Sequence, residues 1–211
     1  MGGTFDPVHL AHITLPSAAR AASGMGDACL LFVPAARSPF KADRPRTGDE
    51  DRVSMLRLAI RDVPHAAVWT DEIDRAARTN APSYTIDSLE RLRAATQSAA
   101  EIRLLIGADQ AASFHKWREP RTIIRLAPPL VMLRGSDADS LATMLRAAGF
   151  WTQPELEQWA ASVVPTPLSP ISSTRIRELL ASSDPVNEAE LVAGLDPAVL
   201  GYIRAHRLYR R

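Results

Sequence analysis

The chain has 211 residues, one cysteine, and 25 Lys and Arg against 24 Asp and Glu, which bounds it to one domain or a domain with a small appendage. With 46% hydrophobic residues and a net charge of +1, it is not a disordered chain and has no overall field to recruit nucleic acid or an acidic membrane, so neither is expected as a partner. The lone Cys29 excludes an intramolecular disulfide and fits a reducing, cytoplasmic setting; no apolar run nears the roughly 18 residues of a bilayer span, and nothing N-terminal reads as a signal peptide.

Short apolar runs alternate with amphipathic ones. Residues 28–34 (ACLLFVP), 66–70 (AAVWT), 102–106 (IRLLI) and 130–133 (LVML) read as buried strands. Between the first two, Val53, Leu56 and Ile60 follow the acidic opening Asp49, Glu50 and Asp51 and predict a helix. Ile86, Leu89 and Leu92 mark a second helix, entered through Ser83 and Thr85, and Leu141, Met144 and Leu145 a third that stops at Gly149. Toward the end, Ser172, Ser173 and Thr174 offer N-caps for a helix carrying Ile176, Leu179 and Leu180, and Asp196-Pro197 opens a final helix with Leu200 and Ile203 on one face.

Such alternation implies βαβ units in an α/β, Rossmann-like, doubly wound parallel sheet, here expected over residues 1–170, with a helical subdomain over 171–211. Ligands in these sheets lie beyond the carboxyl ends of the strands, where strand order reverses. Polar residues fall there after three of the predicted strands, at 35–41, 107–109 and 134.

Two clusters carry chemistry. Gly2 and Gly3 read as a turn leading into a helix that bears His9 and His12, three apart and hence on one face, able to donate to one phosphate group. The plain alternatives are two satisfied histidines after a glycine turn, or a metal pair that lacks a carboxylate to complete its ligand set. In the second cluster, hydroxyls at a helix start precede Arg175 and Arg177, which lie on opposite sides of the helix, so one of them faces a ligand. Gly24-Met25-Gly26 lacks the third glycine of a dinucleotide fingerprint.

Together, G-G-T-F-D-P-x-H-x-x-H at 2–12 and I-S-S-T-x-I-R at 171–177 resemble the nucleotidyltransferase superfamily that includes nicotinate-nucleotide adenylyltransferase. Segments at 80–85 (NAPSYT), 106–109 (IGAD), 113–117 (SFHKW), 133–135 (LRG) and the terminal 202–209 extend the likeness along nearly the whole chain. The resemblance implies transfer of an adenylyl group from ATP, with Mg²⁺ carried by the nucleotide, to nicotinate mononucleotide, giving nicotinate adenine dinucleotide and pyrophosphate. It implies that His9 and His12 bind ATP phosphates, with backbone contacts from Gly2, Gly3, Thr4 and Phe5. Arg177, by motif position, would grip the β/γ end with Ser172, Ser173 and Thr174. Asp109 would accept from ribose hydroxyls, Trp117 would stack on the pyridine, and the amides of Tyr84 and Thr85 would take the nicotinate carboxylate. Lys41 and Arg134 are candidate phosphate contacts.

The chain departs from the family pattern at three places. Ala11 stands where the family has glycine, and 38–41 (SPFK) replaces P-P-H-K. The apolar strand that precedes the glycine pair in the family is not in this sequence, so the strands at 28–34 and 102–106 are expected to lose a shared neighbour, and a natural start upstream of Met1 is expected. The alternatives are a sister enzyme acting on nicotinamide mononucleotide or another phosphorylated acceptor, and a non-catalytic nucleotide-binding module.

Overall fold

The computed structural model describes residues 1–36, 45–79, 82–97, 99–133, 138–182 and 187–210. Its strands are β1 (Gly2–Gly3), β2 (Leu30–Pro34), β3 (Ala66–Val68), β4 (Leu104–Gly107), β5 (Pro129–Met132) and β6 (Val163–Val164). They form two parallel three-stranded sheets, ordered β1-β2-β3 and β4-β5-β6. Read from β3 to β1 and on from β4 to β6, this is the 3-2-1-4-5-6 order of a doubly wound fold, opened between β1 and β4. β1 places Gly2 and Gly3 in register with Val33 and Pro34, and the Met1 amino group donates to the Leu31 carbonyl at 2.8 Å. Among the described residues no ladder joins β2 or β1 to β4. The glycine pair is therefore extended strand, correcting the predicted turn; the turn comes after it, at Asp6 and Pro7.

The four predicted strands are present with ends shifted by at most 2 residues, because the apolar run in each is what the sheet buries. In β4 and β5 both faces are apolar. Leu105, Leu130 and Met132 enter one core with α1 (Ala11–Ala22), while Leu104, Ile106 and Val131 enter a second. The first core also takes Phe5, Phe32, Met55 and Leu56 of α2 (Asp49–Ile60), and Ile176, Leu191, Val199 and Ile203 from the last three helices. Those are α9 (Ser173–Ala181), α10 (Asn187–Gly194) and α11 (Pro197–Ala205). The C-terminal helices thus share one core with the N-terminal loop.

The second core gathers α4 (Thr85–Ala95), α5 (Ala108–Ala112), α6 (Pro120–Leu126), α7 (Ala138–Ala147) and α8 (Gln153–Ala161) around Phe114, Trp151 and Trp159. A remaining helix, α3 (Asp71–Thr79), carries Glu72 as its buried residue. Met144, expected on the apolar stripe of α7, is 42% exposed because the buried face is Leu141 and Leu145. No helix among the described residues is long and apolar enough to cross a membrane.

Helix ends follow local chemistry. Asp196 caps α11, its Oδ1 accepting from the Ala198 amide at 2.8 Å, and Ser172 caps α9 by accepting from the Arg175 amide at 3.2 Å. α11 closes in a Schellman motif, in which Leu208 donates to the Ile203 carbonyl and Arg207, at φ 53°, to that of Arg204. This reversal throws Leu208 and Tyr209 back onto the core.

At α8, Thr152 and Glu155 form a capping box, and Arg121 grips Glu155 at 2.6 Å. The Arg121 hydrogen bond, with the Thr152 amide, holds the Glu155 carboxyl down to about 2. A depressed carboxyl stabilises the fold fully above its unfolded value of about 4.3 and loses that contribution as pH falls toward 2. Glu155→Gln should therefore lower the urea midpoint at pH 6 more than at pH 3; equal losses at both would contradict the assignment.

Candidate active site

The loop from Thr4 to Leu10 leaves β1 at the break between the sheets. Phe5 is in the left-handed region (φ 51°) and 1% exposed, its ring edge-on to Phe32 at 6.2 Å and to His12 at 5.1 Å. That ring lies against Gly3, where a Cβ would come within 2.8 Å of it, so the position admits only glycine without repacking. Arg52, 0% exposed, reaches the loop from α2: Nη1 donates to the Thr4 carbonyl and Nη2 to Asp49 Oδ1, both at 2.6 Å.

His9 and His12 do come together, by a geometry other than the predicted one. α1 starts at Ala11, so His9 precedes the helix. The His9 amide donates to His12 Nδ1 at 3.2 Å, and the rings stack with centroids 3.7 Å apart. Since Nδ1 accepts, the ring proton of His12 is on Nε2, which makes that edge a donor. Both rings are buried, at 3% and 8% exposure. Ala11 is 1% exposed in the first core, so its methyl is accommodated there.

The second sequence cluster is bound directly to this loop. Arg177 Nη1 donates to the Asp6 carbonyl at 2.6 Å and Nη2 to Thr174 Oγ1 at 3.2 Å, while Ser173 Oγ donates to the Pro7 carbonyl at 2.9 Å. Arg175 turns the other way, paired with Glu190 at 2.7 Å. The two arginines thus lie on opposite sides of α9, and Arg177 is the one at the loop. Leu10 closes the arrangement by donating to the Gly194 carbonyl at 2.9 Å.

Asp6 is the residue sequence reasoning missed here. Its Oδ1 accepts from Thr47 Oγ1 at 2.6 Å and Tyr209 Oη at 2.7 Å, and its Oδ2 from the Arg46 amide at 2.7 Å. Burial pushes the carboxyl up, but the Thr47, Arg46 and Tyr209 hydrogen bonds and the nearby Arg177 outweigh it and hold it below its ordinary value. Burial, and the Asp6 carboxylate beside it, push the Tyr209 hydroxyl up, so it remains a donor. Arg52 was missed as well; an arginine between helix residues has no sequence signal for full burial.

The residues expected at the acceptor gather around the second core. Tyr84 is the extended N-cap of α4 and Thr85 its first residue, so the first-turn amides have no partner within the helix. Trp117 stacks on Phe114 at 4.5 Å, and the Arg118 guanidinium lies 5.1 Å from the centre of the Tyr84 ring. α3 anchors this helix start: Ser88 Oγ donates to Glu72 Oε1 at 3.2 Å and Arg75 pairs with Asp87 at 3.2 Å. Burial pushes the Glu72 carboxyl up, with Ser88, Arg75 and Ser83 opposing it. Asp109 is exposed in the first turn of α5, just past β4. Lys41 and Arg134, with Phe40 and Asn80, lie outside the described residues.

A family model described as cytidylyltransferase-like matches residues 1–179. The chain is 35% identical over 99% of its length to a Chromobacterium violaceum protein named "Probable nicotinate-nucleotide adenylyltransferase", covering 96% of that protein. It is 36% identical over its whole length to a Pseudomonas putida protein of the same name, covering 93% of it. Its fold superposes on Plasmodium falciparum nicotinic acid mononucleotide adenylyltransferase complexed with NaAD, with TM-score 0.66, 16% identity, and coverage of 99% of this chain and 94% of that one. The same enzyme complexed with APC gives TM-score 0.67 at 15% identity, again covering 99% and 94%. The motif-bearing loop, the α9 cluster bound to it and these full-length matches agree: the chain belongs to the cytidylyltransferase-like family, in its nicotinate-nucleotide adenylyltransferase branch.

Proposed function

We propose that this chain transfers the adenylyl group of ATP to nicotinate mononucleotide, forming nicotinate adenine dinucleotide and pyrophosphate in NAD biosynthesis. The observation that carries the reading is the direct bonding of Arg177 and Ser173 to the Asp6 and Pro7 carbonyls, which puts both phosphate-type clusters at one loop. The nucleophile is a phosphate oxygen of the mononucleotide, whose second pKa near 6 leaves it dianionic at pH 7. It attacks the α-phosphorus as the bond to the β-phosphate bridging oxygen breaks, and the electron pair departs with pyrophosphate. No side-chain base is needed, so catalysis rests on aligning two anions and neutralising charge that develops on the leaving group.

His12 supports this through its Nε2–H, oriented by the His9 amide. His9 stacks on it, and the backbone of residues 2–5 with Ser172, Ser173 and Thr174 lines the same end; Arg177 supplies the fixed positive charge. Mg²⁺ enters as part of the Mg–ATP substrate. On the acceptor side, the α4 first-turn amides at Tyr84 and Thr85 would take the nicotinate carboxylate and Trp117 the pyridine face. Lys41 and Arg134 would take a phosphate there, while Asp109, on the ATP side, would take ribose hydroxyls.

Pyrophosphate release from ATP, measured separately with nicotinate and nicotinamide mononucleotides, tests the reading. Turnover is expected to be faster with nicotinate mononucleotide, the acceptor that carries a carboxylate. Faster turnover with the amide would assign the sister activity, and none with either, alongside ATP binding, would leave a binding module. His12→Ala should lower kcat by at least ~10² while the thermal transition is retained, the loss typical of one preorganised donor. A fall of under threefold would remove His12 from the chemistry.

A further inference from the structure

We propose that the hydroxyls of Tyr209 and Thr47 are positioning groups for the ATP-phosphate loop, acting through the buried Asp6 side chain on the loop backbone and on Arg177. The proposal rests on reading residues 4–12 as the ATP site and deepens it. Asp6 belongs to the loop, yet its carboxylate faces away from solvent at 5% residue exposure. Three donors from distant segments meet on it: Thr47 Oγ1 at 2.6 Å, Tyr209 Oη at 2.7 Å and the Arg46 amide at 2.7 Å. Each hydroxyl has a single proton, and a charged acceptor is its strongest available partner. The Thr47 and Tyr209 oxygens themselves lie 3.2 Å apart, so the two form one clamp across the carboxylate.

What the clamp fixes is a peptide plane. The Asp6 carbonyl receives Arg177 Nη1 at 2.6 Å, so a rotation of residue 6 would carry Arg177 with it. The adjoining Pro7 carbonyl receives Ser173 at 2.9 Å, and two residues upstream the Thr4 carbonyl receives Arg52 at 2.6 Å. Thr47 immediately precedes Gly48, the N-cap of the helix that carries Arg52, so one element holds both the start of the loop and its aspartate.

Tyr209 reaches this point by a backbone that L residues rarely adopt. Arg207 (φ 53°) and Tyr209 (φ 62°) are both left-handed. The Schellman reversal explains the burial of Leu208, but packing alone needs no hydroxyl at 209. The hydroxyl is what reaches the loop, 203 residues away in sequence. A group that acts this way touches no substrate; it sets where Arg177 stands when the triphosphate arrives.

The test uses Tyr209→Phe and Thr47→Val in the full chain, each removing one hydroxyl at nearly constant shape. Calorimetry with α,β-methylene ATP reads binding, steady-state kinetics read KM for each substrate, and a thermal scan reads stability. Each variant should keep its midpoint within about 4 °C of the parent. Each should weaken analogue binding and raise the KM for ATP about tenfold, the low end of what one charge-assisted hydrogen bond is worth, with the KM for nicotinate mononucleotide within about twofold. Unchanged analogue affinity in the folded variants would overturn the proposal, as would equal rises in both KM values alongside a falling midpoint. If Tyr209→Phe does not fold, Thr47→Val decides by the same criteria. Failure of the parent chain itself to bind the analogue would remove the ATP reading, and the proposal with it.

Discussion

A buried aspartate on a short loop sets the terms for the rest of this molecule. Taking the Asp6 carboxylate out of water costs several kcal/mol unless donors replace its hydration, and here three do, from two remote parts of the chain. The shape of the loop is thereby tied to residues 46–47, just before α2, and to Tyr209 in the C-terminal reversal. The same residue passes the constraint outward, because its carbonyl holds Arg177.

The two cores divide the work. One packs the loop, α1, α2 and α9–α11 against a face of the second sheet, and it carries the groups suited to a triphosphate. The other packs α4–α8 against the opposite face and carries Tyr84 and Trp117. β4 and β5 serve both, alternating Leu105 and Met132 to one side with Ile106 and Val131 to the other. The groups proposed for ATP and those proposed for the acceptor are in this way built on opposite faces of shared strands. An enzyme whose task is to align two anions gains from that, since neither site can shift without disturbing a common layer.

Much of the fold was legible in the sequence. The strands at β2 to β5 are dense apolar runs, and α2, α4, α9 and α11 announce themselves by an acidic first turn, a periodic stripe or a cap. α3 escaped because six of its nine residues are polar and it buries a glutamate, and β6 because two valines are too short a signal. The histidine spacing pointed to a pair that does meet, but through the His9 amide rather than side by side on a helix, because the helix starts only at Ala11. Arg177 was chosen by motif position, and the pairing of Arg175 with Glu190 gives the physical reason for that choice. The Asp6 clamp was not legible at all. Its partners lie 41 and 203 residues away, and neither a lone threonine nor a terminal tyrosine carries a pattern that says which carboxylate it will meet.

The proposed phosphate site at residues 4–12 depends on His12 presenting Nε2–H as a donor while Nδ1 accepts from the His9 amide. Nitrogen NMR of the His12 imidazole, in the free protein and with α,β-methylene ATP, tests it most directly. The account predicts an unprotonated Nδ1 and a protonated Nε2 in the free protein, and a nucleotide-dependent shift confined to Nε2. A protonated Nδ1 in the free protein, or a ring that does not respond to saturating nucleotide, would contradict it.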